Sequence, residues 1–157
     1  MLRVTKLTDY ATVVLTVLAA QHDRVLSAAE MAERAGLEAP TVSKVLKPLA
    51  QAGLVEGFRG VNGGYRLARA PEDIGLIEIV EAMEGPLGMT ECSVHEGNCG
   101  LERQCGVRAN WRRINDVVVE ALSNVTLAQM LAPAPAFSSE LVPEPAARRI
   151  NLRLAGA

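Results

Sequence analysis

Apolar residues recur at helical spacing from the start of the chain. Tyr10, Val13, Val14, Val17 and Leu18 share one face of a helix expected over 9–20, with Thr8 as its cap. Ser27, followed by Glu30 three residues on, predicts a capping box and a short helix that Gly36 ends. Pro40 suits the first turn of a third helix over 40–52, which buries Val42, Val45, Leu46 and Leu49 and closes at Gly53. Pro48 should kink or weaken its last turn. Two short helices about a Gly-bearing turn make a helix-turn-helix. Small Ala32 lets the helices approach, Gly36 makes the turn, and Val42 locks the second helix into the core.

The period then changes. Residues 54–58 and 65–68 read as strands around the turn Arg59-Gly60-Val61-Asn62-Gly63-Gly64, which suits positive φ. A hairpin directly after a helix-turn-helix is a wing. A further helix over 76–84 turns Ile77, Val80 and Met83 inward and stops at Gly85-Pro86. A long helix from 109 to about 124 carries Trp111, Ile114, Val117, Val118, Ala121, Leu122 and Val125 on one stripe. So little chain remains to cover this stripe that a partner helix from a second subunit is expected there. Thr126 starts a last short turn. The Ala/Pro-rich remainder reads as disordered. The expected fold is mainly α. A winged helix-turn-helix domain with a small β-hairpin wing spans 1–85, and a cysteine loop spans 86–108. A long C-terminal dimerisation helix spans 109–132, and a disordered tail spans 133–157.

Composition narrows the function. Aromatic residues make up 3% of the 157, against an aromatic-lined sugar or single-strand groove. The net charge of −2 is unevenly placed. Residues 1–70 hold nine Lys/Arg against six Asp/Glu, and residues 71–157 hold seven against twelve. A modestly basic N-terminal half fits a polyanion partner. On the second helix of the helix-turn-helix, the outward residues Thr41, Ser43, Lys44 and Lys47 can bond base edges and phosphates in a major groove. On the wing, Arg59 and Arg66 suit minor-groove or backbone contact. Lys6, Ser27 and Asn62 complete the candidate DNA contacts. The bland reading of these side chains is a solvated surface; the succession of helix, turn, helix and glycine-rich hairpin speaks for double-stranded DNA. No nucleophile–base set, phosphate loop or paired-acid motif is present, so the chain is not expected to be an enzyme or to take a small-molecule substrate.

Cys92, Cys99 and Cys105 are the only cysteines and fall in one polar, Gly-bearing stretch. Thiolates favour zinc, copper(I) and iron–sulfur centres. An odd count argues against a disulfide framework. No signal segment or long apolar run is seen, so a cytoplasmic location, no membrane partner and reduced thiols are expected. Zinc sites usually show a tight CxxC pair, which is absent, and the wider spacing leans towards iron–sulfur. Redox thiols or an incidental cluster remain the alternatives. Three thiols leave a fourth ligand to be found.

The stretches LRVTKLTDYA, APTVSKVLKPLAQAGLV and RGVNGGYRLAR, with three spaced cysteines before a Trp-bearing helix, resemble the Rrf-two family of winged-helix regulators, typified by IscR and NsrR. Within it they are most similar to the SUF-system iron–sulfur assembly regulators, over about residues 1–132. The resemblance implies a homodimer that binds promoter DNA, with an iron–sulfur cluster, two-iron or four-iron, on Cys92, Cys99 and Cys105. Where the IscR branch has a His three residues after the last Cys, this chain has Arg108, which cannot ligate iron. In the NsrR branch the fourth ligand is similar to Asp9, supplied by the other subunit; His95 is the reserve candidate. The structural alternative for Asp9 is a first-turn acid favouring the helix dipole. The implied function is repression of iron–sulfur assembly genes. A competing expectation is a zinc-stabilised winged-helix protein whose cysteines hold fold and not signal; another is a thiol-redox enzyme, which would need a CxxC pair.

Overall fold

The computed structural model describes residues 3–21, 23–94 and 104–132; within helix 91–94, the side chains of Cys92 and Val94 lie outside the description. Cys99, His95 and the tail 133–157 lie outside the described residues.

Helix α1 (Lys6–Ala19) is capped by Thr5 and not by the expected Thr8: the Thr5 hydroxyl accepts the Thr8 N–H. Its buried face is also rotated from the one expected. Ala11, Val14, Leu15 and Leu18 are sealed, while Tyr10, Val13 and Val17 are half-buried. The reason is position. α1 touches α2 (Ala28–Ala35), α3 (Ala39–Gln51), α4 (Leu76–Glu84) and α7 (Leu127–Leu131). A helix packed on so many sides is apolar nearly all round, and periodicity does not choose its innermost line.

The helix-turn-helix forms as expected. Ser27 and Glu30 make a reciprocal capping box at the start of α2. Gly36 ends that helix at φ 64°, a left-handed position that a side chain would strain. Val42, Val45, Leu46 and Leu49 of α3 are fully buried. α3 runs through Pro48 to Gln51, because the buried residues on either side of the proline hold the last turn. Strands β1 (Val55–Phe58) and β2 (Gly64–Leu67) pair antiparallel, with Gly57 opposite Tyr65. The wing is anchored at Leu26, whose N–H and C=O bond the C=O and N–H of Tyr65 at 2.9 and 2.8 Å. Gly64 is required there, since a Cβ would sit 2.3 Å from the Leu26 carbonyl oxygen.

After a single 3-10 turn (Pro71–Asp73), α4 buries Ile77 and Val80 as expected and Ile79 besides. Met83 is only half-buried. The stretch expected to be loop contains one helical turn, α5 (Glu91–Val94). α6 (Arg108–Ser123) follows, and α7 returns to α1, sealing Leu127 in the same core as Leu15 and Leu46. Two backbone bonds of 2.8 Å, Leu76 N–H to Val125 and Leu127 N–H to Ile74, tie the α6–α7 corner to the start of α4.

The end of α4 is fastened to the start of α1. Glu84 accepts the Thr5 N–H at 2.8 Å and the Thr8 hydroxyl. The Thr8 hydroxyl, with the Thr5 N–H, holds the Glu84 carboxyl below the usual glutamate value. A lowered folded-state value adds stability above the unfolded value, and that stability is lost as pH falls through the folded one. Thermal melting of wild type and Glu84→Gln should therefore differ most at neutral pH and converge in acid; a constant difference at every pH would contradict this coupling. Ser27→Ala should lower stability in urea unfolding by about 0.5–2 kcal/mol, the usual worth of an N-cap side chain.

Candidate nucleic-acid interface and cysteine site

Along α3 the buried positions leave Ser43, Lys44 and Lys47 exposed on the opposite face, with Thr41 half-buried at its start. This is the surface a recognition helix offers a major groove. Glu38 at its N-cap makes no side-chain capping bond.

The wing is a rigid arm because Leu26 and Gly64 meet backbone to backbone. Arg59 and Asn62 are exposed at its tip, and Val61 between them is fully open at 105%. Arg66 is placed differently. Its guanidinium bonds Glu56 directly across the hairpin at 3.1 Å and lies 5.2 Å from the Phe58 ring centroid. It is spent on the wing's own face. The Ser27 hydroxyl is likewise engaged, accepting the Glu30 N–H at 3.2 Å and donating to the Glu30 carboxylate at 2.9 Å. That pairing, led by the Ser27 N–H, keeps the Glu30 carboxyl below its usual value. Lys6 is exposed at the start of α1, 5.5 Å from the Tyr10 ring centroid.

Two of the three cysteines fall on described segments. Cys92 belongs to α5, and Cys105, half-buried and in no disulfide, precedes α6 by three residues. α5 packs on α6. Asp9 is exposed and borders a cleft of about 420 Å³ between α1, α4, α6 and α7, with Val80, Pro86, Leu122 and Met130. Among the described residues no three His, Cys, Asp or Glu side chains lie close enough together to hold a metal. Cys99 and the side chain of Cys92 lie outside the described residues, so of the expected ligands only Asp9 and Cys105 are placed. The donor set itself suits a soft metal: three thiols within fourteen residues, with Cys105 in no disulfide and half-buried.

The expected apolar stripe of α6 divides in two. Leu122 and Val125 are half-buried against the protomer's own domain. Trp111, Ile114 and Val117 stay exposed, the last two at 45% and 59%, with Ala121 beside them. Val118 is half-buried at the border, and this open edge forms a shallow hollow with Asn110 and Arg113.

Asn115 is the buried residue of α6, at 7% exposure, and it was missed in the sequence. Its Oδ1 accepts the Met89 N–H at 3.0 Å, tying the chain just before Cys92 to α6. One signal was available: Asn115 lies one turn from Val119 and two from Leu122, an amide on the helix's inward line.

Known proteins agree with this architecture. The chain matches Rrf2, the iron-dependent transcriptional regulator family, over residues 4–133. It is 33% identical to the transcriptional regulator NsrR of Halalkalibacterium halodurans, covering 83% of this chain and 90% of that one. It is 30% identical to the transcriptional regulator IscR of Erwinia tasmaniensis, covering 83% and 79%. The solved structure of CymR, the global cysteine regulator of B. subtilis, superposes with a TM-score of 0.64 at 30% identity, covering 83% and 97%. These relatives are regulators of transcription and not enzymes. A helix-turn-helix with a pinned wing, matched over nearly all the described chain, identifies it: the protein belongs to the Rrf2 family of winged-helix, DNA-binding transcriptional regulators.

Proposed function

We propose that the protein is a cytoplasmic homodimer that represses iron–sulfur assembly (SUF) genes and senses an iron–sulfur cluster held by Cys92, Cys99, Cys105 and Asp9. The observation that carries this reading is the three-cysteine stretch running straight into α6, whose outer edge is apolar and open. The relatives named IscR and NsrR support the regulator half of it.

Trp111, Ile114, Val117 and Ala121 of α6 meet their counterparts in a second copy, with Val118, Leu122 and Val125 behind them. Each large apolar side chain, about half covered already, contributes a part of the ~1.5–3 kcal/mol that complete burial is worth. Asp9 reaches the thiols of the other protomer, which is why it and Cys105 need not meet within one chain. His95 is the reserve ligand. The bound cluster supplies a chemical state that iron supply or oxidation changes. Cys105 passes that state to the first turn of α6, and α6 shifts the spacing of the two recognition helices. The shift can be no larger than the cluster's differential affinity for the two arrangements. Lys44, Lys47, Arg59 and Asn62 grip the operator, while Lys6, Ser27, Thr41, Ser43 and Arg66 border that surface.

A second reading follows from the likeness to CymR: a regulator that answers to cysteine supply through its thiols, without iron.

Two experiments test these assignments. Lys44→Ala and Arg59→Ala should each weaken binding to a selected duplex and flatten its salt dependence by about one unit per lost phosphate contact. Arg66→Ala, already paired with Glu56, should chiefly soften the wing. Unchanged affinity and salt dependence in both Lys44→Ala and Arg59→Ala would misplace the recognition surface. Protein purified without oxygen should be coloured and hold iron and sulfide. Cys99→Ala should abolish the colour and leave the dimer, and Asp9→Ala should weaken the spectrum. A colourless wild type that resists reconstitution would favour the cysteine-supply or zinc readings.

A further inference from the structure

We propose that Asn115 is a positioning residue for the cysteine site, fixing the Cys92 segment on the helix into which Cys105 leads. This rests on the reading of the cysteines as metal ligands and goes beyond it, since Asn115 is not itself a ligand.

Asn is a middling helix former, and a buried amide costs stability unless it is bonded. A Leu at this position would serve packing alone. Asn115 instead spends its oxygen on one backbone N–H, that of Met89, 26 residues earlier. Met89 lies three residues before Cys92. Between them Thr90 opens α5, its hydroxyl 2.8 Å from that of Ser93. Cys105 stands three residues before α6 begins, and Asn115 lies two turns inside α6.

The two thiol-bearing segments are therefore referred to the same end of one helix. On the cysteine side the Asn115 bond takes hold of the backbone, at Met89 N–H, beside the contact of α5 with α6. The connection from α4 to α5 runs through Gly85, at φ 86°, then Pro86 and Gly88; the Leu87 N–H bonds Glu81 at 3.4 Å near its start, and the Asn115 bond holds its far end, next to α5. Groups that orient metal ligands without touching the metal commonly contribute about 10–100-fold in metal affinity. A buried amide that merely filled space would contribute to melting temperature and nothing to metal retention.

The test compares wild type, Asn115→Leu and Asn115→Asp, each reconstituted without oxygen using ferrous iron and sulfide. Leu fills the space without an acceptor; Asp keeps an acceptor for the Met89 N–H. Under a chelator, Asn115→Leu should lose its visible absorption about 10–100-fold faster than wild type, with Asn115→Asp close to wild type. The melting temperatures of the iron-free forms separate this from a general loss of fold. Retention by Asn115→Leu at the wild-type rate, or equal loss in both variants, would overturn the proposal. Should Asn115→Leu fail to fold, hydrogen exchange in the iron-free wild type decides: the Met89 amide should be protected, and exchange at the free-peptide rate would overturn it. A wild type that takes up no iron removes the cluster reading but not this one. Cobalt(II) then serves as the probe, with the same 10–100-fold loss expected in Asn115→Leu. A wild type that binds neither metal would sink both.

Discussion

The structure depends on how the α6–α7 corner is joined to the winged helix. Leu76 N–H bonds Val125, Leu127 N–H bonds Ile74, both at 2.8 Å, and the Leu127 side chain is fully buried beneath α1. These are backbone bonds, so no surface substitution removes them. They make α6 and the helix-turn-helix parts of one body and not two modules on a linker. Leu127 shares a core with Leu15, Leu46 and Leu49. α4 packs against both α6 and α3, so the two helices share one packed neighbour. The cysteine stretch touches this body at the other end of α6, through Asn115 and the turn that leads from Cys105.

Much of this was legible in the chain, and the misses share a cause. Local signals held: the Ser27–Glu30 box, Gly36, the burial of Val42, Val45, Leu46 and Leu49, and the hairpin all formed where composition and period put them. What failed depended on distant groups. Thr8 looks like a cap, but its hydroxyl serves Glu84, 76 residues away, and Thr5 takes the cap. The stripe of α6 reads as one surface because the arc from Ile114 to Leu122 is continuous in sequence. In space one edge meets the protomer's own domain and the other does not. The Glu56 partner of Arg66 likewise shows only once the register sets the two directly opposite. For the cysteines, spacing ranks the ligand types. It does not say which acid completes the set, since that depends on which distant part of the chain, or of a second copy, comes to lie beside the thiols.

Charge makes the second protomer necessary on the proposed reading. The exposed cations among the proposed contacts are Lys44 and Lys47 on α3, Arg59 on the wing, and Lys6 at the start of α1, with Arg66 shared with Glu56. Each phosphate neutralised contributes about 0.9 to the salt slope. A single protomer thus has an electrostatic grip of only a few contacts, on a chain whose net charge is −2. Two protomers on one palindromic site double the contacts and make the second half-site an intramolecular event. That gain exists only if the spacing of the recognition helices matches the spacing of the half-sites. A weak grip on each half is what makes such a regulator sensitive to geometry. Were each half tight alone, a small movement of α6 would change little; with each half weak, losing the match between them releases the DNA.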